Sequence, residues 1–171
     1  VDSGSELALT TDGSTVVRNG ILDWVYQEEI YGRGNFRGYW WSPNSERIAF
    51  LQLNNSQVPD YTIVDHIAYH PDVEVWSYPK AGDPNPEVRL GIISSAGGEV
   101  TWVDFKAYAT SQLLIVNVEW TPDNESVVFQ MQNREQTWLD LNLANARSGR
   151  VSTVLRETTK AWVNLHGPPV W

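Results

Sequence analysis

The fold of this chain is decided by a stretch that occurs twice, as GYWWSPNSERIAFLQL at 38–53 and as NVEWTPDNESVVFQMQ at 117–132. The residues WSPN at 41–44 align with WTPD at 120–123. Proline followed by Asn or Asp is typical of a tight turn, and the flanking aromatic and β-branched residues favour strands. Each copy therefore predicts a β-hairpin.

The repeat continues after each hairpin. EVRLGII at 87–93 corresponds to QTWLDLNL at 136–143, and EVTWVDF at 99–105 corresponds to RVSTVLR at 150–156. Each unit therefore contains four short strands. Tandem four-stranded units are typical of β-propellers, in which each blade covers the apolar face of its neighbour. We predict an all-β chain that forms a β-propeller segment, with two four-stranded antiparallel blades and parts of the neighbouring blades.

This register divides the chain into four parts, and we expect the whole to be an excerpt from a longer propeller. Residues 1–37 hold the end of a preceding blade and a segment with paired glutamates, 38–106 the first blade, 107–157 the second blade and 158–171 the start of the next.

The first blade carries a long insertion at 54–86, between its second and third strands. The second blade makes the same connection within 133–136. In the insertion, YTIVDHI and VEVWSY alternate apolar and polar residues, which favours strands because neighbouring side chains of a strand point to opposite faces. We expect an extended β-arm.

Composition limits the partners of the chain. The formal net charge of −9 argues against nucleic acid, because phosphate contacts need clustered Lys and Arg, and it suits a cationic ligand. The absence of Cys excludes disulfides and thiolate metal sites within these residues. No apolar run approaches the length of a membrane span.

The stretch DWVYQEEIYGRG at 23–34 contains two adjacent acids, Glu28 and Glu29. Adjacent residues of a strand face opposite ways, so both acids reach one ligand only from a helical or irregular segment. The Gln and Glu content predicts a short helical turn near 26–31 that ends at Gly32. Two interpretations stay open at this point: solvated surface acids, or a clamp for a cation that relieves their mutual repulsion.

Other chemical motifs point to no catalytic site, metal site or cofactor in these residues. His66 and His70 have a spacing that suits a metal on a helix, but Pro71 and the β pattern around them argue against that helix. The glycines at 32–38 precede a strand, whereas a dinucleotide fingerprint follows one. No G-x-S-x-G nucleophile motif occurs.

The run from NGILDWVYQEEIYGRG through GYWWSPNSERIAFLQL, YTIVDH and YPKAGDPNPEVRLGI closely resembles the propeller domain of the dipeptidyl peptidase IV branch of the prolyl oligopeptidase family. The resemblance implies an eight-bladed propeller that covers a C-terminal α/β-hydrolase domain with a serine triad. It implies a full-length serine peptidase that removes Xaa-Pro or Xaa-Ala dipeptides from free peptide N-termini. We expect residues 1–171 alone to be inactive, and the family favours a periplasmic, secreted or membrane-attached location.

The same resemblance assigns roles to residues. Glu28 and Glu29 match the glutamates with which the family binds the substrate α-ammonium group, while Gln27 stands where some relatives have a third Glu. The arm of the first blade contributes to homodimer contacts in the family. The candidate contact residues of the arm are Tyr61, Ile63, Val75, Trp76 and Tyr78.

Two other functions compete with this one. A propeller that only docks proteins would leave Glu28 and Glu29 as surface acids, and a hydrolase domain encoded downstream would argue against it. A tryptophan-rich carbohydrate-binding sandwich would not explain the tandem hairpin register.

Overall fold

The computed structural model describes residues 4, 6–108, 112–165 and 167. His166 and 168–171, in the predicted start of a further blade, lie outside them. The strands are β1 (Val17–Asn19), β2 (Tyr39–Trp41), β3 (Arg47–Asn54), β4 (Asp60–Asp65), β5 (Asp72–Ser77), β6 (Glu87–Ser94), β7 (Thr101–Trp102), β8 (Leu113–Trp120), β9 (Ser126–Asn133), β10 (Trp138–Asn145) and β11 (Val151–Thr158). One helical turn spans Tyr26–Ile30, and we call it the glutamate turn.

The strands form two large antiparallel sheets and one separate hairpin. In the first sheet β3 pairs with β6 and β6 with β7, while β1 and β2 both pair with the other edge of β3. The second sheet has the order β8-β9-β10-β11. These sheets confirm the all-β prediction of two tandem four-stranded units, and the hairpin β4-β5 confirms the predicted β-arm.

The repeated hairpins are built by the same hydrogen bonds. In the first sheet the Ser42 hydroxyl accepts from the Arg47 amide at 2.9 Å and donates to Asn44 Oδ1 at 2.8 Å. In the second sheet the Thr121 hydroxyl accepts from the Ser126 amide at 3.1 Å and donates to an Asp123 carboxylate oxygen at 2.6 Å. The two turns are therefore equivalent in structure as well as in sequence.

The strand that leads into the first hairpin is split. β1 pairs with the end of β3, with Val17 opposite Asn54, and β2 pairs with its beginning, with Trp41 opposite Ile48. Between them the chain leaves the sheet at Gly20 and returns at Gly38, whose amide donates to the Gly20 carbonyl at 2.9 Å. A Cβ at Gly38 would lie 2.8 Å from Leu22 Cδ2, so this closure leaves no room for a side chain.

This pairing corrects two details of the sequence division. Residues 17–19 were predicted, within 1–37, to end a preceding blade, but they lie in the first sheet because the closed excursion at 20–38 returns the chain to the same edge of β3. The fourth strand, predicted at 99–105, shrinks to β7 because the Asp104 amide donates to the Gly149 carbonyl of the second sheet at 2.9 Å.

The hydrophobic core lies between the two sheets. From the first sheet come Leu51, Leu53, Leu90 and Ile92, and from the second Ile115, Val118, Val127, Phe129 and Met131, all almost fully buried. Trp120 Nε1 donates to the Trp40 carbonyl at 3.0 Å, which joins the two leading strands. Among the described residues there is no helix with the length and apolar character that crossing a membrane requires.

Candidate functional site

The glutamate turn is a single wide turn of helix. The Tyr31 amide donates to the Tyr26 carbonyl, five residues earlier, at 2.8 Å. Before the turn, Asp23 Oδ1 accepts from the Tyr26 amide at 3.0 Å and the Asp23 carbonyl accepts from the Gln27 amide at 3.0 Å. Asp23 is thus the N-terminal cap of this short helix. The helical turn predicted near 26–31 is confirmed.

Asp23 is buried, and this burial raises the pKa of its carboxyl group despite the amide hydrogen bonds that it accepts. Its second oxygen, Oδ2, is buried and no described residue hydrogen-bonds it. The cap therefore stabilises the helical turn through one oxygen and carries a desolvation cost on the other.

Two tyrosines attach the turn to the second sheet. Tyr31 Oη donates to the Ile115 carbonyl at 3.2 Å, and the Ile115 amide donates to Tyr26 Oη at 3.3 Å. Burial raises the pKa of both phenols well above its usual value, so both remain neutral hydroxyls at any physiological pH. The turn, which belongs to an insertion of the first sheet, is held by the leading strand of the second.

The loop after the turn is folded back by a buried amide. Gln27 is almost fully buried, and its Oε1 accepts from the Gly34 amide at 2.7 Å. Gly32 and Gly34 have φ angles of 97° and 81°, a left-handed conformation that glycine adopts without strain. This loop carries Arg33 back over the glutamates.

Arg33 meets the paired acids as a cation. Its Nε donates to Glu28 Oε1 at 2.6 Å, and its Nη2 contacts the same oxygen. The hydrogen bond and charge of Glu28, with a smaller contribution from the charge of Glu29, raise the pKa of Arg33. The Glu28 side chain is 15% exposed and that of Arg33 84% exposed, so the carboxylate is partly sheltered and its counter-ion is in solvent.

Both carboxylates thus act on one cationic group from one turn of helix. A cation at this position is attracted by two negative charges, one of them partly desolvated. The arrangement is chemically suited to bind a primary ammonium or a guanidinium group.

The arm hairpin has two different faces. Residues opposite each other in an antiparallel pair share a face, and the pairs alternate in side. Tyr61 lies opposite Trp76 on one face, and Val64 lies opposite Val73 on the other. The candidate contact residue Val75 belongs to this second face, which is exposed to solvent.

The aromatic face of the arm points back to the start of the glutamate turn. The ring centroids of Trp24 and Tyr78 are 5.5 Å apart and those of Trp24 and Trp76 are 6.3 Å apart, both edge to face. Trp76 and Tyr78 are half-buried in this cluster, whereas Tyr61 and Ile63 are exposed. The five candidate residues therefore divide between a base that packs on the body and a surface open to solvent.

The two histidines lie at the tip of the arm. His66 and His70 fall in the connection between β4 and β5, and the Tyr69 ring packs edge to face on His70 with centroids 4.8 Å apart. Within the described part of the chain, no three His, Cys, Asp or Glu side chains form a cluster that could hold a metal ion.

Sequence reasoning missed the residues that hold the glutamates in place. The contacts of Tyr26 and Tyr31 with Ile115 join residues more than 80 positions apart. Asp23 could have been recognised as a cap from its position three residues before Tyr26.

Comparison with known proteins places these features in a family. The family model described as the dipeptidyl peptidase IV N-terminal region matches residues 1–171. A probable dipeptidyl peptidase 4 of Aspergillus clavatus is 32% identical over 94% of this chain and 22% of the relative. The inactive dipeptidyl peptidase 10 of Rattus norvegicus is 33% identical over 94% of this chain and 20% of the relative.

A solved structure gives the same picture. The crystal structure of Porphyromonas gingivalis dipeptidyl peptidase 4 matches with a TM-score of 0.82 and 26% identity, over 94% of this chain and 22% of that chain. This match confirms the predicted propeller segment. The chain spans about a fifth of the length of the relatives it matches.

Proposed function

Because this chain belongs to the family of dipeptidyl peptidase IV N-terminal regions, we propose that it is the propeller part of a serine dipeptidyl peptidase, in which Glu28 and Glu29 bind the substrate α-ammonium group. The observation that carries this proposal is the cation beside the two acids. Arg33 donates to Glu28 while Glu29 also raises its pKa, which supports a site that attracts positive charge.

The chemistry of a peptide N-terminus suits this site. A free α-amino group has a pKa of about 7.7 to 8.0 and is largely charged at neutral pH, whereas an internal amide or a blocked terminus carries no charge. An anchor at a fixed distance from a nucleophile admits only the residues that fit between the two. In this proposal the glutamates select free N-termini and set the length of the released fragment, and the nucleophile belongs to a hydrolase domain.

Substrate binding requires the ammonium group to take the place of Arg33 or to share Glu28 with it. Exposed ion pairs contribute little to stability because solvent screens them, and Arg33 lies almost entirely in solvent. The guanidinium is therefore readily displaced, while the partly sheltered Glu28 carboxylate keeps its position. Gln27 and the two tyrosines hold that position from the other side.

Replacing Glu28 or Glu29 by Gln in the full-length protein tests the proposal. The loss of one charged partner from a partly desolvated pair costs roughly 2 to 5 kcal/mol. Since about 1.4 kcal/mol is a factor of ten, kcat/KM for an Ala-Pro reporter should fall on the order of 30-fold to several thousand-fold. The readout is release of the chromophore under pseudo-first-order conditions.

Two controls sharpen this test. Glu99→Gln removes an equal charge from an exposed site and should leave kcat/KM unchanged. Inactivation by a small organophosphate without an amine should proceed at the same rate in Glu28→Gln, because the serine is untouched. Wild-type kcat/KM in both Glu28→Gln and Glu29→Gln would overturn the anchor.

A second candidate is a propeller that serves only as a protein-interaction scaffold. The similarity to an inactive dipeptidyl peptidase favours keeping this candidate, because the same propeller occurs in a protein named inactive. The two candidates separate on the first measurement: a scaffold has no Ala-Pro turnover to lose.

The exposed face of the arm supports homodimer formation as a further part of the proposal. Val64, Val73 and Val75 are 37%, 60% and 58% exposed, an unusual amount of aliphatic surface for one short hairpin. The triple variant with Thr at these three positions keeps β propensity and should weaken dimerisation, measured by sedimentation at several concentrations. Val154→Thr, on exposed β11, is the matched control, and an unchanged dimer affinity in the triple variant would exclude the arm from the interface.

A further inference from the structure

The start of the glutamate turn touches the arm through one side chain. Trp24 lies between Asp23 and Gln27, the residues whose backbone hydrogen bond opens the helix. Its ring packs edge to face on Tyr78 and on Trp76, with centroids 5.5 Å and 6.3 Å away. Tyr78 in turn packs on Tyr61 at 5.7 Å, so the cluster spans both strands of the arm base.

The base of the arm is otherwise loosely attached to the body. A cavity of about 470 Å³ separates Val75 and Trp76 from Val16 and Arg18, which lie beside β1. A second cavity of about 330 Å³ opens on the other side of the aromatic cluster, lined by Trp24, Ile63 and Lys80 among others. With space on both sides of it, the Trp24 cluster is the principal packed contact between the arm base and the excursion at 20–38.

The two attachments of the glutamate turn differ in kind. Toward the second sheet, two buried phenols make hydrogen bonds to Ile115. Toward the arm, Trp24 makes only ring contacts, and it is half-buried. A displacement of the arm base therefore reaches the glutamates through Trp24, one helical turn before Glu28.

We propose that Trp24 is a positioning residue that couples the arm hairpin to Glu28 and Glu29, so that packing at the arm base sets the affinity for the substrate ammonium group. The inference rests on the proposed function of the two glutamates. Trp24 touches no substrate in this scheme, and it acts by holding the first turn of the helix against Trp76 and Tyr78.

The test is a double-mutant cycle in the full-length protein, with an Ala-Pro reporter. Trp24→Ala should raise KM about threefold to tenfold, the range expected for the loss of an aromatic pair, and change kcat less than about twofold. Trp76→Ala should produce the same rise from the arm side. Because both variants break one contact, the double variant should be no worse than either single variant.

Three further variants complete the design. Trp24→Phe keeps an aromatic edge and should restore most of the affinity, which a loss of general packing would not predict. Trp162→Ala removes an exposed tryptophan outside the cluster and should leave KM unchanged. Should Trp24→Ala fail to fold, Trp24→Leu retains the bulk of the side chain and Trp76→Ala leaves the helical turn intact.

The outcomes separate this inference from the proposal beneath it. If Glu28→Gln reduces kcat/KM but Trp24→Ala and Trp76→Ala leave KM unchanged, the coupling is wrong and the anchor stands. If the two tryptophan variants multiply in effect, they act independently and the coupling is again wrong. If neither Glu28→Gln nor Glu29→Gln has an effect, the anchor itself fails and the coupling fails with it.

Discussion

The first and second sheets begin their hairpins with the same hydroxyl-centred hydrogen bonds, but only the first sheet carries insertions. One insertion, at 20–38, interrupts the leading strand and carries the paired glutamates. The other, at 54–86, extends as the arm. The second sheet has neither, and its four strands pair without interruption along the order β8-β9-β10-β11.

The difference shows how a blade accommodates added chain. Both insertions leave and re-enter the first sheet at closely spaced backbone positions, so the register of β3 with β6 continues unbroken from Arg47 to Asn54. The features proposed for binding lie on the insertions, and the repeated strands supply the support. Loops positioned by a rigid scaffold commonly carry binding residues for this reason.

The largest expected effect concerns the turn before the fourth strand, where Gly98 and Gly149 hold comparable places. Both have positive φ, but a Cβ at Gly149 would lie 2.2 Å from the Trp102 carbonyl oxygen, whereas nothing lies within 4 Å of one at Gly98. Gly149→Ala should destabilise the chain by about 2 to 5 kcal/mol through backbone strain and overpacking. Gly98→Ala should cost only the strain, about 1 to 2 kcal/mol.

Urea unfolding followed by tryptophan fluorescence measures both variants. The second sheet approaches the first at Gly149, so the matched pair tests whether the two turns differ by this contact alone. Equal losses of stability would show that the close approach to Trp102 contributes nothing.

The next prediction compares the ion pairs of the two sheets. Asp140 is almost fully buried, and Arg156 donates to both of its oxygens, at 2.6 Å and 2.7 Å. Arg156→Met keeps the contact with the Trp138 ring but leaves a buried carboxylate without its counter-ion. Breaking a buried pair typically costs 3 to 5 kcal/mol, and the half-exposed Arg156 side chain reduces our expectation to about 2 to 4 kcal/mol.

Arg33→Met is the counterpart in the glutamate segment. Since Arg33 lies in solvent, its loss should leave the urea midpoint unchanged within error. The contrast identifies Arg156 as a structural cation and Arg33 as a replaceable one. A midpoint shift in Arg33→Met as large as that in Arg156→Met would contradict it.

These comparisons also indicate what the sequence could and could not predict. The hairpins were readable because the hydroxyl, the Pro and the Asn or Asp act within six residues of one another. The place of β1 was not readable, because its partner strand lies more than 30 residues away and alternation does not name a partner. The helical turn was predicted from local composition, but its attachment to Ile115 and Trp76 depends on how the sheets and arm come together.

The smallest expected effect comes from the one acid that distinguishes the two hairpin turns. Asn44 in the first turn corresponds to Asp123 in the second, and each accepts from the neighbouring hydroxyl and from a backbone amide. The Thr121 hydroxyl, followed by the Glu125 amide, lowers the pKa of Asp123 below its ordinary value of 3.8. Only the second turn therefore has a titrating acceptor.

The sign of the pH dependence follows from that direction. A carboxyl group whose pKa is lower in the folded state contributes stability above its unfolded pKa, and this contribution is lost as the pH falls through the folded value. Asp123→Asn makes the second turn chemically like the first, so its urea midpoint should fall less steeply than that of the wild type as the pH is lowered from 7 toward about 2. Asp72→Asn, in the exposed arm, is the control for loss of a negative charge. Since Asp123 is exposed, the change is small, and parallel midpoint curves for wild type and Asp123→Asn would mean that the hydroxyl bond stabilises both protonation states equally, as the neutral Asn44 turn already suggests is possible for this geometry.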